Sequence, residues 1–365
     1  MRTSTISRRR FAQLLGAGAA FSLARPALSL AREPVVAAGR FVLLNSNENP
    51  FGPSAKALAG IPEAFEFACR YPDEHAEQLI DTLARSNGVG ADQILLGAGS
   101  GEILKICANA FNGRLVVADP TFEAIAAHAN RRGTEVVKVP LTDTFTHDLP
   151  KMAAAAKGGL VYLCNPNNPT ASITPKNQVR DFITAASPET MILVDEAYHH
   201  YVESPDYESV IPLIKDHPNL IVARTFSKIY GMAGMRCGYA IAQSATIERM
   251  RPDQLSDSVN ILALVAASVS MADAGHVPQG RELNSQTRKF VTDALATAGF
   301  ESIPSQANFV MVNLKRPVVP VIQAMKERKV KIGRLFPALP NHMRLTIGRK
   351  AEMESFLAAF REAMA

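Results

Sequence analysis

Seven short apolar runs between about residues 90 and 242 constrain the fold of this chain more than any other feature. They are rich in β-branched residues and alternate with helix-like stretches. In chain order they read QILLGAG, RLVVADP, EVVKVPL, GLVYLCNP, MILVDEAY, LIVARTF and CGYAIAQ. Runs of this kind form a largely parallel sheet with helices on both faces. The pattern therefore predicts an α/β fold with a seven-stranded, mostly parallel sheet.

The rest of the chain predicts a second, smaller domain of the α+β type. Residues 40–65 are loop-like and then helical, residues 243–297 are helix-like, and residues 300–365 alternate short strands with helices. A length of 365 residues allows two or three domains. We expect a large domain at 66–255 and a small domain made of 40–65 and 256–365 together.

The first 31 residues are predicted to be a twin-arginine signal peptide. The sequence SRRRF at 7–11 precedes a short apolar stretch, and a small-x-small cleavage site follows at 29–31. The apolar stretch is too short to span a bilayer. The mature protein is therefore expected in the periplasm and outside the membrane, or in the cytoplasm if the signal is not functional. The alternative is a basic amphipathic helix that packs on the folded body.

Charge and cysteine usage exclude several classes of partner. The net charge is +5, but residues 1–32 hold six arginines and no acid, so the remainder is nearly neutral (33 − 34 = −1). No nucleic-acid partner is therefore expected. The four cysteines form no C-x-x-C pair or zinc spacing, and their spacing leaves the disulfide state open. The pair His199–His200 is interpreted as a packing or surface feature, so no metal site is expected.

Polar residues that end the predicted strands are the candidates for chemistry, because ligands bind beyond the carboxyl ends of such sheets. Asp195 ends a buried apolar strand, where a carboxylate is costly unless it is paired. It is either a cap of the next turn or the partner of a cationic ring nitrogen. Asn168 lies in the turn CNPNNPT, which is either a plain turn or part of a ligand site.

Two further segments indicate a phosphate site. The glycine-rich turn GAGSG at 97–101 joins a strand to a helix and offers backbone N–H groups to an anion. The segment RTFSKIYGMAGMR at 224–236 brings hydroxyl groups, Lys228 and Arg236 to the end of another strand. A surface loop with incidental charges is the alternative for this second segment taken alone.

Together these residues describe pyridoxal phosphate. Lys228 would bind its aldehyde covalently, and Asp195 would keep its ring nitrogen protonated so that the ring withdraws electrons. Asn168 and Tyr198 would contact its phenolic oxygen. The predicted phosphate ligands are Ser100, Gly101, Thr225, Ser227 and Arg236.

From about Leu44 to the C-terminus the chain resembles the fold-type I, class I/II pyridoxal phosphate-dependent aminotransferases, and among them the histidinol-phosphate aminotransferases. The motifs LNSNENPFGPS, YPD, NPNNPT, VDEAY, TFSK with an arginine eight positions on, and MRLTIG occur in the family order. The ordered set is far more specific than any one motif. The resemblance implies a large cofactor-binding domain with the seven-stranded sheet.

The resemblance also implies further roles. Phe122 would stack on the cofactor ring, and Asn47 would lie near the substrate. Arg344 would hold the substrate α-carboxylate through two parallel N–H bonds. Tyr71 would reach the cofactor phosphate of a neighbouring subunit, which makes the active unit a homodimer.

Two positions depart from the family pattern. Ala171 stands where the family usually has glycine, which raises the prospect of a shifted turn after Asn168. Arg334 is followed by leucine where many histidinol-phosphate enzymes have arginine and then aspartate. Arg334 is still predicted to face a distal substrate phosphate.

These observations predict an aminotransferase that moves an amino group from an amino acid or a histidinol-phosphate-like donor to a 2-oxo acid. One alternative is a pyridoxal phosphate-dependent decarboxylase or lyase on the same fold. The other is a non-catalytic pyridoxal phosphate-binding protein, although such regulators carry a DNA-binding domain ahead of this fold.

Overall fold

The central element is a seven-stranded sheet. It belongs to a computed structural model that describes residues 41–365, so the predicted signal peptide lies outside the described residues. The strands are β1 (Val42–Leu43), β2 (Ile94–Gly97), β3 (Leu115–Asp119), β4 (Val136–Pro140), β5 (Leu160–Cys164), β6 (Met191–Asp195), β7 (Leu220–Thr225), β8 (Gly238–Ile241), β9 (Glu301–Ser302), β10 (Phe309–Asn313), β11 (Val330–Lys331) and β12 (His342–Thr346).

Eleven α-helices occur within residues 41–365. They are α1 (Ala55–Ala64), α2 (Asp73–Asn87), α3 (Ser100–Ala110), α4 (Ala124–Arg131), α5 (Leu149–Ala156), α6 (Lys176–Ala185), α7 (Ser244–Met250), α8 (Ile261–Ala272), α9 (His276–Thr297), α10 (Val318–Glu327) and α11 (Lys350–Met364). No single helix of this range is long and apolar enough to cross a membrane. Only α8 and α9 together meet the length and composition criteria, and they are bent by 84°.

The strands of the seven-stranded sheet lie in the order β2-β8-β7-β6-β5-β3-β4. The sheet is mostly parallel, as the seven apolar runs predicted. Strand β8 is antiparallel to both of its neighbours, and the remaining pairs are parallel. Side chains alternate between the two faces of a strand. In β6, Ile192 and Val194 accordingly pack into one buried apolar cluster while Met191 and Leu193 pack into another. Both faces of the sheet are therefore covered, and the α/β prediction is confirmed.

The C-terminal part forms two small sheets around a third apolar cluster. Strands β12, β10 and β9 are antiparallel, and β1 pairs with β11 in parallel. Helices α10 and α11 contribute Val321 and Phe356 to this cluster. Residues 41–365 lie in one compact unit, and the division at 66–255 stays a prediction. Ala57 of α1 and Ala263 of α8 pack in the first cluster, with the seven-stranded sheet.

The turn that follows β5 holds Ala171 in the left-handed region, with φ of 60°. This region favours glycine because an L side chain is crowded there. The turn closes through a hydrogen bond of 2.7 Å from the Ala171 N–H to the Asn167 carbonyl. Alanine therefore adopts the conformation that suits glycine, and Asn168 still faces the interior.

A buried ion pair lies directly behind the end of β6. Arg224 Nη2 is 2.7 Å from Glu196 Oε2, and Glu196 is fully buried. The other carboxylate oxygen of Glu196 accepts 2.8 Å from the Val210 N–H, and Ser209 donates to Oε2 at 2.9 Å. Such a pair is sensitive to the loss of one member, because the other charge is then buried without compensation.

We expect Glu196→Ala to lower the free energy of unfolding by about 3 to 5 kcal/mol. Arg224 would keep its charge in a buried site that has lost its counter-charge. Urea unfolding monitored by circular dichroism measures the change. Asp293→Ala, which breaks the exposed Lys289–Asp293 pair, is the control, and surface pairs of this kind contribute little. Equal midpoints for the two variants would contradict the prediction.

Candidate active site

A cavity of about 260 Å³ opens at the carboxyl ends of the parallel strands. It is lined by twelve of the fourteen residues that the sequence predicted for the site: Asn47, Ser100, Gly101, Phe122, Asn168, Asp195, Tyr198, Thr225, Ser227, Lys228, Arg236 and Arg344. Residues separated by up to about 300 positions thus meet in one place. The two predicted residues outside this lining are Tyr71 and Arg334.

One end of the cavity is suited to a dianion. Helix α3 begins at Ser100, so its N–H groups and the positive end of its dipole point there. Arg236 donates to the Ser227 hydroxyl at 3.3 Å, and the Thr225 hydroxyl donates to Ser227 at 2.9 Å. These groups form a cationic, donor-rich end of the cavity.

Glycine is required at this end by close approach. A Cβ on Gly99, whose φ is 81°, would lie 2.2 Å from Arg236 Nη2. A Cβ on Gly238 would lie 2.4 Å from the Ser100 nitrogen. Side chains at either position would fill the anion cradle and displace the arginine or the helix N-terminus.

The amine of Lys228 lies in the same cavity and donates 3.2 Å to the Asn47 carbonyl. Burial, and then the charge of Arg344, lower the pKa of Lys228 to about 8. The negative charges of Asp195 and Glu48 act in the opposite direction. A lysine with this pKa is partly neutral near pH 7.5, and the neutral amine is both a base and a nucleophile.

Asp195 ends β6 and is almost fully buried. Its Oδ1 accepts 3.1 Å from the Ala197 N–H, and its Oδ2 accepts 2.9 Å from the Tyr162 hydroxyl. Burial raises the pKa of Asp195 to about 6, while Tyr162, Ala197 and Lys228 act to lower it. The carboxylate thus depends on its donors to stay charged at neutral pH.

Tyr162 is a site residue that the sequence reasoning missed. It lies within β5 and is fully buried, so in the sequence it cannot be told from a core residue of an apolar strand. Its neighbour in the sheet is Leu193 of β6, two residues before Asp195. Pairing of β5 and β6 in this register brings the hydroxyl to the carboxylate.

A set of amide, phenol and guanidinium groups forms the opposite wall. Asn47 and Asn168 donate to the Tyr198 hydroxyl at 3.3 and 3.4 Å. Arg344 donates 2.8 Å to Asn168 Oδ1 and 2.7 Å to the Asn45 carbonyl. The buried Arg344 Nε has no hydrogen-bond partner among the described residues. One guanidinium N–H of this wall is therefore buried without a partner among the described residues.

The two predicted residues outside the cavity lining have different environments. Tyr71 is 81% exposed. Arg334 forms an ion pair of 2.5 Å with Glu123, which directly follows Phe122. Glu123 was missed by the sequence reasoning, since no spacing rule links residues 211 positions apart.

The remaining predicted features have ordinary environments. The four cysteines are free, and three of them are buried. The rings of His199 and His200 lie with centroids 3.7 Å apart and are tilted by 44°. Nowhere in residues 41–365 do three or more His, Cys, Asp or Glu side chains gather in a way that could hold a metal ion.

The family model described as aminotransferase class I and II matches residues 40–360. This chain belongs to that family. It is 36% identical to the histidinol-phosphate aminotransferase of Moorella thermoacetica over 332 residues, covering 89% of this chain and 86% of the relative. It is 37% identical to the Symbiobacterium thermophilum enzyme of the same name, covering 88% and 90%.

A solved structure shows the same fold. The histidinol-phosphate aminotransferase of Sinorhizobium meliloti, solved in complex with pyridoxal-5'-phosphate, superposes with a TM-score of 0.83 at 28% identity. The comparison covers 88% of this chain and 90% of that one. Together with the family match, it shows that this aminotransferase is a pyridoxal phosphate-dependent transaminase.

The residues present fit that cofactor. The cradle at Gly99, with the α3 N-terminus and Arg236, suits a phosphate. Asp195 offers a buried carboxylate to a protonated ring nitrogen, and Lys228 offers an amine with a lowered pKa to an aldehyde. The side chains of Asp195, Lys228 and Arg236 all line the one cavity.

We expect Tyr162→Phe to raise the pKa of Asp195 above its value of about 6 in the cofactor-free protein. The variant removes a hydrogen bond to the charged carboxylate, and loss of such a donor favours the protonated form. Carboxyl NMR of labelled aspartate, with the signal assigned by Asp195→Asn, measures the titration. As the pH is lowered, cofactor affinity should then begin to fall at a higher pH in the variant than in the unmodified protein.

Tyr207→Phe is the matched control, because the buried Tyr207 hydroxyl has no hydrogen-bond partner within residues 41–365. It should leave the Asp195 titration unchanged. An equal titration in Tyr162→Phe and in the unmodified protein would show that the tyrosine does not hold the carboxylate.

Proposed function

We propose that this transaminase takes the amino group from a donor held at Arg344 and passes it to a 2-oxo acid, with Lys228 as proton carrier. The observation that carries the proposal is the Lys228 amine, which has a pKa of about 8 and faces the same cavity as Asp195 and Arg344. A base with a pKa near the working pH combines availability with strength.

Bound pyridoxal phosphate supplies an aldehyde carbon and an electron-withdrawing ring. Asp195 holds the proton on the ring nitrogen, and its benefit is largest when negative charge develops at the donor Cα. Tyr198 and Asn168 would orient the ring through its phenolic oxygen. The Lys228 amine would accept the proton from the donor Cα, hold it as an ammonium group and pass it to the cofactor carbon that carries the aldehyde, so one group would serve both proton transfers.

The donor is an α-amino acid or an amine with a distal phosphate. The relatives are histidinol-phosphate aminotransferases, which supports the second kind of donor. Arg344 supports the first, because its guanidinium lines the cavity and keeps a buried N–H without a partner among the described residues. A carboxylate matches the planar fork of such a group.

We expect Lys228→Ala to reduce transamination by about a thousandfold or more, since it removes the general base. The fold and phosphate affinity should persist, because Arg236 and the α3 N-terminus are untouched. The half-reaction is followed by the cofactor absorbance spectrum against a panel of amino donors. Near-normal turnover in the variant would contradict the assignment, and release of carbon dioxide without a keto product would favour the decarboxylase alternative.

We also propose a homodimer in which Tyr71 binds the cofactor phosphate of the partner subunit. The high exposure of Tyr71 supports this, because a residue with that role has no partner within its own chain. Exposed apolar side chains nearby in sequence, Phe65 and Phe67, support an interface at the same segment.

Mixing Tyr71→Ala with Lys228→Ala tests the crossing. Random re-association makes half of the dimers mixed, and each mixed dimer has one site with both native residues. About a quarter of the native activity should therefore return, although each variant alone is impaired. Sedimentation checks that dimers form in every sample. Full activity of Tyr71→Ala alone, or no recovery on mixing, would contradict the shared site.

Export to the periplasm by the twin-arginine route is the proposed localisation. The SRRRF sequence and the acid-free segment before residue 33 support it. This route carries folded proteins, so the cofactor can be loaded before transport. Replacement of Arg8–Arg10 by lysines should retain the protein in the cytoplasm, as measured by cell fractionation. Equal distribution of the native and replaced forms would contradict export.

A further inference from the structure

The Arg334–Glu123 pair lies next to the cavity, because Glu123 directly follows Phe122, which lines it. The Arg334 guanidinium is 4.3 Å from the ring centroid of Phe336, and the Arg344 guanidinium is 5.1 Å from the same centroid. Phe336 is buried. The two guanidinium groups therefore contact the same aromatic ring, and of the two arginines Arg344 lines the cavity.

Both members of the pair act electrostatically on Arg344. Burial lowers the pKa of Arg344, and among the surrounding charges Arg334 lowers it further while Glu123 raises it. Glu123 also directly follows Phe122, which lines the cavity. A donor that binds Arg344 through its carboxylate and extends past Phe336 would meet one positive and one negative charge.

We propose that Glu123 is a specificity-determining residue. Its carboxylate pairs with Arg334 and thereby weakens the binding of donors that carry a distal anion. A distal phosphate or carboxylate must displace the Glu123 carboxylate from Arg334 and also approach its negative charge. A donor with an uncharged distal group meets no such competition. The inference rests on the proposed role of Arg344 in holding the donor.

The exposure of the two side chains sets the size of the competition between Glu123 and a distal anion for Arg334, and we expect a moderate effect on binding. Arg334 and Glu123 are 54% and 56% exposed in their side chains. Water and salt therefore screen both the ion pair and the repulsion. Two charges 4 Å apart in water interact by about 1 kcal/mol, which corresponds to roughly fivefold in a binding constant.

Glutarate and valerate are the matched probes, because they share one carboxylate and a five-carbon chain and differ only in the distal carboxylate. Their dissociation constants are measured on the holoenzyme by titration calorimetry. Glu123→Gln keeps the size of the side chain and removes its charge. We expect it to tighten glutarate binding roughly three- to tenfold relative to valerate, and this gain should shrink at high salt.

Three further variants locate the effect. Arg334→Ala added to Glu123→Gln should abolish the gain for glutarate, since the freed guanidinium is then missing. Arg344→Ala should weaken both probes alike. Glu248→Gln removes the same charge from the exposed Glu248–Arg251 pair on α7 and its end, and should leave both constants unchanged.

Turnover provides a second readout. In Glu123→Gln the kcat/KM for histidinol phosphate and for glutamate should rise because KM falls. The kcat/KM for leucine should stay constant. An unchanged glutarate-to-valerate ratio would overturn the proposal, as would equal losses for all donors, which indicate a structural role. Because the calorimetry requires no turnover, failure of the proposed transamination would leave this binding result readable on its own.

Discussion

The removal of water from two opposite charges, the Asp195 carboxylate and the Lys228 amine, is the constraint on which the site depends. Burial shifts the pKa of Asp195 up to about 6 and that of Lys228 down to about 8. Each charge moderates the shift of the other. The protein therefore holds Lys228 close to the pH at which its protonation changes, which suits a group that carries a proton, while Asp195 keeps its charge at neutral pH.

The sheet explains how this constraint is met. Asp195 ends β6, and Lys228 follows shortly after Thr225, the last residue of β7. Neighbouring parallel strands end at the same edge, so their terminal residues face one cavity. The buried Glu196–Arg224 pair fixes the adjacent backbone and joins the ends of β6 and β7. Asp195 thus lies on a strand, and Lys228 lies in the bend three residues beyond one.

Much of this arrangement could be predicted from the sequence. The seven apolar runs predicted the seven strands, and the rule that ligands bind at strand ends selected Asp195, Asn168 and Lys228 as candidates for chemistry. Tyr162 could not be found in this way, because it differs from other core residues of a strand only through its register against β6. Glu123 could not be found because its partner lies 211 positions away. Local patterns specify elements, and tertiary contacts between distant segments specify the rest.

Strand β8 has a consequence for the order in which the molecule can assemble. It lies between β2 and β7, and its first residue, Gly238, pairs with both Gly97 and Thr225. The anion cradle therefore joins segments that are brought together only when the chain has been made as far as β8. Contacts this distant in sequence carry a high entropic cost and form slowly. During synthesis, a chain shorter than 225 residues lacks Thr225, Ser227 and Arg236, so the complete phosphate site can form only after residue 236 has been made.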